Sequence, residues 1–377
     1  MDSILIVAGE NSGEKYGANF VLQFKKERPS LSFFGIGGKK MEDEGVEILF
    51  PMEELAVVGV VEILGHLPRI RRIFRRLKDE IKNRKPLASV LIDSPDFNLR
   101  LAKRLKKLGV PVLYYISPTV WAWRKGRLKT IKKTVSKMLL IFPFEEKIYR
   151  EQGIPATYVG HPLRESVKIS FGKEEFFRKY GLDPRRKLIT LLPGSRKSEI
   201  RYHLPVLLRA IELLIKEYAL QFVLVQAESL ERNFLLRYIP QDSADLRIIS
   251  QDSYEAIASS DLVLSACGTA NMETALLGTP FISFYRISPL TYTFGVKFVK
   301  IKNYSIINIL AGKQVVPELI QRRFKATNIL KETKRILNSE SIRSEMKKNF
   351  QMIRALLGEE SASLNASREL EKLIYPS

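Results

Sequence analysis

Two turns in the C-terminal half carry residue types that bind phosphate. Residues 261–266 form a short apolar run, typical of a buried parallel strand, and Gly268-Thr269 then open a helix. The first N–H groups of a helix lack intrahelical partners and carry partial positive charge, so this turn suits a phosphate. Glu273 lies about one turn into the helix, where its carboxylate could accept hydrogen bonds from a ribose diol. Alone the pattern is weak, because many strand–turn–helix units bind nothing.

A second turn strengthens this interpretation. Residues 188–192 form another buried strand, and Gly194, Ser195 and Arg196 follow it. An arginine can hold a diphosphate through two parallel hydrogen bonds. Two such turns, one of them with an acid suited to ribose, predict a nucleoside diphosphate lying across the carboxyl ends of parallel strands.

Polar side chains also follow two strands of the N-terminal half. The apolar run 88–92 delivers Asp93 and Asp96 at its end, where α/β enzymes hold catalytic groups, and either carboxylate could deprotonate an acceptor hydroxyl. The alternative is that Asp96 caps the following helix, and the two roles are compatible. Ser12 lies in the Gly-rich turn 9–13 after the first strand, facing any cleft, although this turn lacks the dinucleotide-binding G-x-G-x-x-G spacing.

Two βα arrays in series must position these residues. We predict an α/β protein with two Rossmann-like, doubly wound domains, at residues 1–163 and 164–340. The helices of residues 341–377 are expected to pack back across an interdomain cleft. His161 lies at the linker, where a structural hydrogen bond is favoured over catalysis.

Composition limits the partners. The net charge of +21 points to phosphate-bearing partners: nucleic acid, an anionic membrane surface or a phosphorylated substrate, although a thermophilic host would also enrich Lys and Arg. The single Cys267 excludes an internal disulfide, and a packing role is favoured over a nucleophilic one. The chain shows no secretion signal, no bilayer-spanning run and no metal-ligand spacing, so we expect a cytoplasmic protein without a metal.

The segment after residue 55 indicates membrane contact. Residues 55–65 are strongly apolar, and residues 68–85 combine an apolar helical stripe with many basic side chains, as in proteins that rest on an anionic bilayer. For the helix alone, core packing is the better interpretation; for both segments together we favour the membrane. The residues expected to touch it are Val57, Val58, Val60, Val61, Ile63, Leu64, Arg69, Arg72 and Arg76.

Both tryptophans, Trp121 and Trp123, stand beside a basic helix. They could stack on single-stranded nucleic acid, form a sugar platform, anchor the chain at a membrane interface, or fill the core under a loop. The sequence leaves these alternatives open.

Seven motifs taken together resemble the lipid-A-disaccharide synthase family, in the family's order and over nearly the full chain. Asp-Ser-Pro-Asp-Phe-Asn and Trp-Ala-Trp are especially specific. The motifs lie at residues 9–13, 92–98, 117–123, 160–162, 192–196, 268–273 and 308–321.

This resemblance implies a GT-B glycosyltransferase. The implied reaction transfers 2,3-diacylglucosamine from its UDP conjugate to 2,3-diacylglucosamine 1-phosphate, with inversion, and releases UDP and a β-1,6-linked disaccharide phosphate. Asp96 is implied as the general base, and Ser195, Arg196 and Glu273 are implied to hold UDP. No cofactor or metal is expected, because an arginine and helix N-termini neutralise the leaving diphosphate.

Further expectations follow from the same resemblance. Asn308, Glu318 and Gln321 are implied to line the cleft. A peripheral enzyme on the anionic cytoplasmic face of a Gram-negative inner membrane is expected, without nucleic acid and with a homodimer allowed. The chain departs from the family pattern in two places: Glu14 replaces an aspartate, and Asn271 with Cys267 replaces smaller or hydroxylated residues in the nucleotide turn.

Three rivals share some of these features. The GT-B transferase of peptidoglycan precursor synthesis and the non-hydrolysing UDP-sugar epimerases have a similar nucleotide domain, but no known counterpart of the Asp96 and tryptophan motifs. A nucleic-acid-binding protein would explain the basic charge and leave both phosphate turns unexplained.

Overall fold

The chain folds into two α/β units. The computed structural model describes residues 2–55, 60–121, 124–240, 245–288 and 303–375, with the backbone alone for residues 60–67. The first unit comprises Met1–Glu165 and Leu357–Ser377, and the second comprises Ser166–Leu356. The predicted boundary at residue 163 lies close to this division.

The first unit is built on a fully parallel sheet. Its described strands are β1 (Ser3–Ala8), β2 (Ser32–Gly37), β3 (Val46–Pro51), β4 (Ala88–Ile92), β5 (Val112–Tyr115), β6 (Lys137–Leu140) and β7 (Ala156–Tyr158). They lie in the order β3-β2-β1-β4-β5-β6-β7. The helices are α1 (Asn11–Glu27), α2 (Lys39–Asp43), α3 (Val60–Arg84), α4 (Pro95–Lys107), α5 (Arg127–Thr134), α6 (Glu145–Glu151) and α7 (Leu163–Ser166), with a 3-10 turn at Met52–Glu54.

Burial explains why the sequence forms these elements. All residues of β1 and β4 are buried, as expected for parallel strands with helices on both faces of the sheet. The apolar stripe of α3 lies in the same core, where Ile73, Phe74, Leu77 and Ile81 are buried. The interpretation favoured for this helix taken alone, core packing, therefore describes its inner face.

The second unit repeats the plan with fewer strands. Its described strands are β8 (Lys187–Leu192), β9 (Leu220–Val225), β10 (Leu246–Ile249), β11 (Leu262–Ala266), β12 (Phe281–Tyr285) and β13 (Glu318–Ile320). They pair in parallel, in the order β10-β9-β8-β11-β12-β13. The helices are α8 (Lys173–Tyr180), α9 (Lys197–Leu214), α10 (Arg232–Leu236), α11 (Ser253–Ser259), α12 (Thr269–Leu276), α13 (Ile306–Ala311), α14 (Ala326–Leu337) and α15 (Glu340–Leu356), with a 3-10 turn at Gln321–Arg323.

The end of the chain returns to the first unit. Helix α16 (Ala362–Ile374) packs against α1. An ion pair joins Arg28 to Glu371, and Lys137 Nζ lies 3.2 Å from a Glu369 carboxylate oxygen. The predicted C-terminal segment 341–377 is thus divided, because α15 belongs to the second unit and α16 to the first. The interdomain cleft stays a prediction.

The backbones of β1 and β2 approach closely at one glycine, and a substitution there tests the packing of these two strands. Gly35 of β2 pairs with Ile6 of β1 at φ +153°, and a Cβ there would lie 1.9 Å from the Ile6 carbonyl oxygen. We predict that Gly35→Ala lowers the free energy of unfolding by about 3 kcal/mol or more, because the two strands must separate. Urea denaturation measures the change.

The matched control is Gly126→Ala. At Gly126 φ is −58° and a Cβ would meet nothing within 4 Å. Its expected effect is within about 0.5 kcal/mol. An alanine at position 35 that left stability unchanged would contradict the close strand approach.

Candidate active site

The predicted phosphate-binding turns of the second unit lie at one edge of its sheet. Strands β8 and β11 are adjacent and parallel, so the turns after them begin at the same edge. Ser195 and Arg196 follow β8 and are exposed, and so are Gly268 and Thr269 after β11. The structure therefore brings together the two turns that the sequence analysis singled out.

The turn after β8 already holds an internal carboxylate. Glu199 accepts hydrogen bonds from the backbone N–H groups of Ser195 (2.9 Å) and Arg196 (3.3 Å) and from the Arg196 guanidinium (3.2 Å). Gly194 has φ +116°, and a Cβ on it would lie 2.4 Å from Glu199. These two N–H groups can therefore serve a diphosphate only if Glu199 releases them. Sequence reasoning missed Glu199, although an acid three residues after a helix N-cap indicates such capping.

A buried histidine ties this turn to β12. His203 Nδ1 donates to the Pro193 carbonyl oxygen at 2.7 Å, because Nε2 accepts the Arg286 N–H at 3.0 Å. Burial lowers the pKa of His203, which keeps the ring in this neutral form. Tyr285, at the end of β12, donates its hydroxyl to Glu199 at 3.2 Å. His203 and Tyr285 therefore position the turn.

Asn271 performs a similar task after β11. The side chain is fully buried. Its Nδ2 donates to Ser265 Oγ (2.8 Å) and the Ala266 carbonyl oxygen (3.1 Å), and its Oδ1 accepts from Ser283 Oγ (2.7 Å). This departure from the family pattern thus joins β11 to β12 and does not face a ligand.

Cys267 and Glu273 lie on either side of Asn271 in the sequence. The Cys267 thiol is unsuited to act as a nucleophile, whereas the Glu273 carboxylate is partly exposed. Burial raises the pKa of the Cys267 thiol to about 12, and Sγ donates to the Tyr304 carbonyl oxygen. The thiol is therefore uncharged at neutral pH, in line with the expected packing role. Glu273 is half-buried and accepts a hydrogen bond from the Tyr254 hydroxyl at 3.0 Å.

Asn308 and Glu318 form a buried clamp. Asn308 Nδ2 donates to Glu318 (2.7 Å) and to the Val316 carbonyl oxygen (2.9 Å), while Oδ1 accepts from the N–H groups of Val315 and Val316. All four hydrogen-bonding positions of this amide are thus used within the chain. Glu318 also accepts the N–H group of Ser305 at 2.9 Å, where α13 begins. The structure gives the pair a positioning role, so its predicted contact with substrate requires a rearrangement.

Gln321 differs from that pair. It follows β13 at φ +52°, a left-handed conformation that is uncommon for a residue other than glycine. Among the described residues, none makes a hydrogen bond to its side-chain amide. Of the three residues predicted to line the site here, Gln321 is the one whose side chain remains available.

In the first unit, the turn after β4 is strained and strongly held. Asp93 and Ser94 have φ values of +48° and +42°. Tyr114 donates its hydroxyl to the Asp93 carbonyl oxygen at 2.6 Å, and Asn98 Nδ2 donates to the same oxygen at 2.9 Å and to that of Ile92 at 3.0 Å. Two consecutive left-handed residues cost about 1–2 kcal/mol each, and these buried hydrogen bonds stabilise them.

This turn presents Asp96 to solvent. Ser94 occupies the N-cap position and α4 begins at Pro95, so the alternative in which Asp96 caps the helix is corrected. The Asp96 side chain is 69% exposed, and its Oδ1 accepts hydrogen bonds from Arg124 (2.8 Å) and Arg127 (2.7 Å). Neither arginine was predicted as a site residue, because the contacts span 28 and 31 positions.

The turn after β1 lies against the turn after β4. A Cβ on Gly9 would lie 2.4 Å from Ser94 Oγ, so glycine permits this contact. Ser12 is half-buried in the first turn of α1, at the same edge of the sheet as Asp93 and Asp96. Glu14, by contrast, is buried and accepts the Lys40 N–H at 2.8 Å, which fixes the start of α2.

Comparison with known proteins identifies the family. A model of the lipid-A-disaccharide synthetase family matches residues 4–371. The lipid-A-disaccharide synthase of Solibacter usitatus (strain Ellin6076) is 38% identical over 375 residues, which cover 99% of this chain and 98% of that protein. The chain belongs to the lipid-A-disaccharide synthase family. It is thus a glycosyltransferase of lipid A biosynthesis, as the motifs predicted.

Solved structures extend this result to the fold. The UDP-GlcNAc 2-epimerase of Neisseria meningitidis, bound to UDP-GlcNAc, aligns with a TM-score of 0.65 at 13% identity, over 98% of each chain. A glycosyltransferase from Rickettsia africae ESF-5 aligns with a TM-score of 0.58 at 14% identity, over 100% of this chain and 99% of that one. The predicted GT-B fold is confirmed.

The predicted membrane residues of this lipid-A-disaccharide synthase family member are only partly described. Val57 and Val58 lie outside the described residues, and for Val60, Val61, Ile63 and Leu64 only the helical backbone of α3 is described. Arg69 and Arg72 lie 3.0 Å and 3.5 Å from Glu54, and the Arg76 guanidinium lies 5.3 Å from the centre of the Phe50 ring. Membrane contact stays a prediction for all of them.

Neither a membrane-spanning helix nor a metal-binding cluster is present among the described residues. No helix among them is long and apolar enough to cross a bilayer. No group of three His, Cys, Asp or Glu side chains in that part of the chain is arranged to hold a metal ion. The absence of a cofactor stays a prediction.

The tryptophan motif of the family rests on a buried acid. Trp121 Nε1 donates to Glu145 at 3.2 Å, and its ring packs edge-on against Phe144 with centroids 5.5 Å apart. Trp121 is half-buried and Phe144 is exposed, so this pair lies at the surface above the buried Glu145, while Trp123 lies outside the described residues. Burial raises the pKa of Glu145 to about 8, although hydrogen bonds from Ser117 and Trp121 act in the opposite direction.

His161 is buried, and its Nδ1 accepts the Leu163 N–H, a structural role as expected.

The raised pKa of Glu145 predicts a pH-dependent stability. Between pH 4.5, its ordinary pKa, and about 8, the folded chain keeps a proton that the unfolded chain releases, so stability falls as pH rises through this window. Glu145→Gln retains an acceptor for Trp121 and cannot ionise. The difference in free energy of unfolding between this variant and the parent should shift in favour of the variant by on the order of 3 kcal/mol between about pH 5 and about pH 9. Urea denaturation measures it.

The control is Glu151→Gln, an exposed acid at the end of the same helix, which should follow the parent at every pH. A Glu145→Gln profile parallel to that of the parent would show that Glu145 is ionised in the folded chain throughout.

Proposed function

We propose that the protein transfers 2,3-diacylglucosamine from UDP-2,3-diacylglucosamine to 2,3-diacylglucosamine 1-phosphate, with inversion at the anomeric carbon. The products are the β-1,6-linked disaccharide 1-phosphate and UDP. The observation that carries the proposal is the exposed Asp96 carboxylate on a rigid turn of a chain that belongs to this family. An acid in this place suits proton abstraction from an acceptor hydroxyl.

In the proposed mechanism the second unit binds the UDP part. The Arg196 side chain is 42% exposed, so a diphosphate can reach it. The N-terminus of α12, at Gly268 and Thr269, is exposed and adds partial positive charge. Glu273 is proposed to accept the ribose hydroxyls, with the Tyr254 hydroxyl fixing its carboxylate. Arg196 and the N-terminus of α12 stabilise the negative charge that develops on the departing UDP.

Asp96 is proposed as the general base. It takes the proton of the acceptor 6-hydroxyl while that oxygen bonds to the anomeric carbon of the donor. The bond from this carbon to the UDP oxygen breaks on the opposite face, so one displacement inverts the centre. Ser12 and Asp93, at the same edge, are proposed to contact the acceptor sugar, and Gln321 to contact the donor.

A crossed pair of variants tests the two halves of this mechanism. Asp96→Asn should lower kcat by about 10²-fold or more and leave UDP binding unchanged, because it removes the base alone. Arg196→Ala should weaken UDP binding about 10-fold or more, because it removes charge-assisted hydrogen bonds to the diphosphate. UDP release with both lipids and calorimetric titration with UDP measure these effects.

Matched controls are Asp43→Asn and Arg185→Ala, which change exposed ion-paired residues of the first and second units. Both should behave as the parent. Turnover near the parent rate in Asp96→Asn would remove Asp96 as the base, and unchanged UDP affinity in Arg196→Ala would remove its role in the nucleotide site.

We further propose that the protein is peripheral on the anionic cytoplasmic face of the inner membrane. The support is the outer face of α3, where Arg69, Arg71, Arg72, Arg75 and Arg76 are exposed while the apolar stripe packs inward. Such a cationic face is attracted to anionic lipid headgroups. Both substrates carry acyl chains, so docking at a bilayer brings the enzyme to them.

Reversing two of these charges tests the proposed membrane face. Arg71→Glu/Arg75→Glu should lower binding to vesicles containing phosphatidylglycerol about 10-fold or more, because each basic residue near an anionic surface contributes about 1 kcal/mol. Vesicle sedimentation measures the bound fraction. The control Lys347→Glu/Lys348→Glu changes two exposed charges of α15 in the second unit. Equal losses in both variants would show that overall charge, and not α3, sets the binding.

A further inference from the structure

Two arginines converge on the carboxylate that the reaction needs as a base. Arg124 and Arg127 both donate to Asp96 Oδ1, at 2.8 Å and 2.7 Å. The two arginines differ in exposure, since the Arg127 side chain is 11% exposed and that of Arg124 is 50% exposed. An oxygen that accepts two charge-assisted hydrogen bonds has its lone pairs engaged, so it is poorly placed to accept a hydroxyl proton.

The surroundings of this oxygen favour an anion larger than one carboxylate. Helix α5 begins at Arg127, so its N-terminus adds partial positive charge beside the two guanidinium groups. Arg124 has φ +54°, an uncommon backbone conformation for arginine that places it just ahead of this helix. Paired guanidinium groups and a helix N-terminus together suit a phosphate monoester, which offers three oxygens where Asp96 contacts the two arginines through one, Oδ1.

We propose that Arg124 and Arg127 bind the phosphate of the acceptor and that this exchange releases Asp96 to act as the base. The inference rests on the proposed function, in which the acceptor carries a phosphate on C1 in addition to its reacting 6-hydroxyl. Before the acceptor binds, the arginines occupy Asp96. The phosphate oxygens then accept the guanidinium N–H groups, and Asp96 Oδ1 becomes available for the hydroxyl proton.

This exchange makes the phosphate a requirement for turnover as well as for binding. An acceptor without the phosphate leaves both arginines on Asp96 Oδ1, so the oxygen proposed to take the hydroxyl proton stays engaged. The two arginines are then specificity-determining residues. They reject an unphosphorylated sugar by withholding the base.

Arg124→Gln and Arg127→Gln test the exchange with two acceptors, 2,3-diacylglucosamine 1-phosphate and its dephosphorylated form. With the phosphorylated acceptor, each variant should raise KM about 10-fold to 100-fold, because charge-assisted hydrogen bonds are lost. With the dephosphorylated acceptor, each variant should be faster than the parent, because one of the two arginines that occupy Asp96 Oδ1 is then removed. Lys125→Gln, an exposed residue between the two, should match the parent with both acceptors.

Equal losses on the two acceptors would overturn the proposal, because they are what a merely structural role of the arginines produces. Titration with glucosamine 1-phosphate, observed by calorimetry, separates this proposal from the proposed function. Weaker binding in both arginine variants than in Lys125→Gln supports the phosphate site even if the parent transfers no sugar. Equal binding in all variants of a parent that does transfer sugar would overturn the phosphate site alone.

Discussion

The turn after β4 is the constraint on which the chemistry proposed for the first unit depends. Its Asp93 and Ser94 stay in left-handed conformations because Asn98 holds the carbonyl oxygens of Ile92 and Asp93, and Tyr114 holds that of Asp93 as well. Without these hydrogen bonds the turn would relax, and a small shift of α4 would move Asp96 away from Arg124 and Arg127. Strain of this kind persists in a protein only where the surrounding structure holds it.

Both units have a buried asparagine at the start of the helix that follows an equivalent strand of the sheet. Asn98 follows β4, which lies beside β1, and Asn271 follows β11, which lies beside β8. Each asparagine is fully buried on the next helix and donates its Nδ2 to a carbonyl oxygen at the end of the preceding strand. A buried amide with its donors satisfied fixes the start of the helix relative to the sheet. The turn itself is then left to face solvent, Asp96 in one unit and Gly268-Thr269 in the other.

The sequence predicted what depends on local pattern. The fully buried parallel strands, the Gly-rich turns and the fold class follow from continuous apolar runs and short spacings, and the structure has them where they were expected. The sequence could not predict which residues become hydrogen-bond partners. Asp96 meets arginines far along the chain, and the polarity of Asn308 and Glu318 suits a ligand as well as the buried clamp that they form. Residue type alone does not separate these roles, because both require the same donors and acceptors.

Buried carboxylates explain how the site edges stay intact before a ligand binds. Glu14, Glu199 and Glu318 each accept backbone N–H groups at the start of a helix, where an unpaired buried donor would cost about 1–3 kcal/mol. At the turn after β8, the N–H groups of Ser195 and Arg196 that Glu199 accepts belong to the turn predicted from the sequence to bind a diphosphate. The proposed binding there is therefore an exchange of one anion for another, in which the charge of the incoming ligand must outweigh that of Glu199. The exchange proposed at Asp96 follows the same logic, and together the two proposals give a phosphate-bearing substrate an advantage over a neutral sugar.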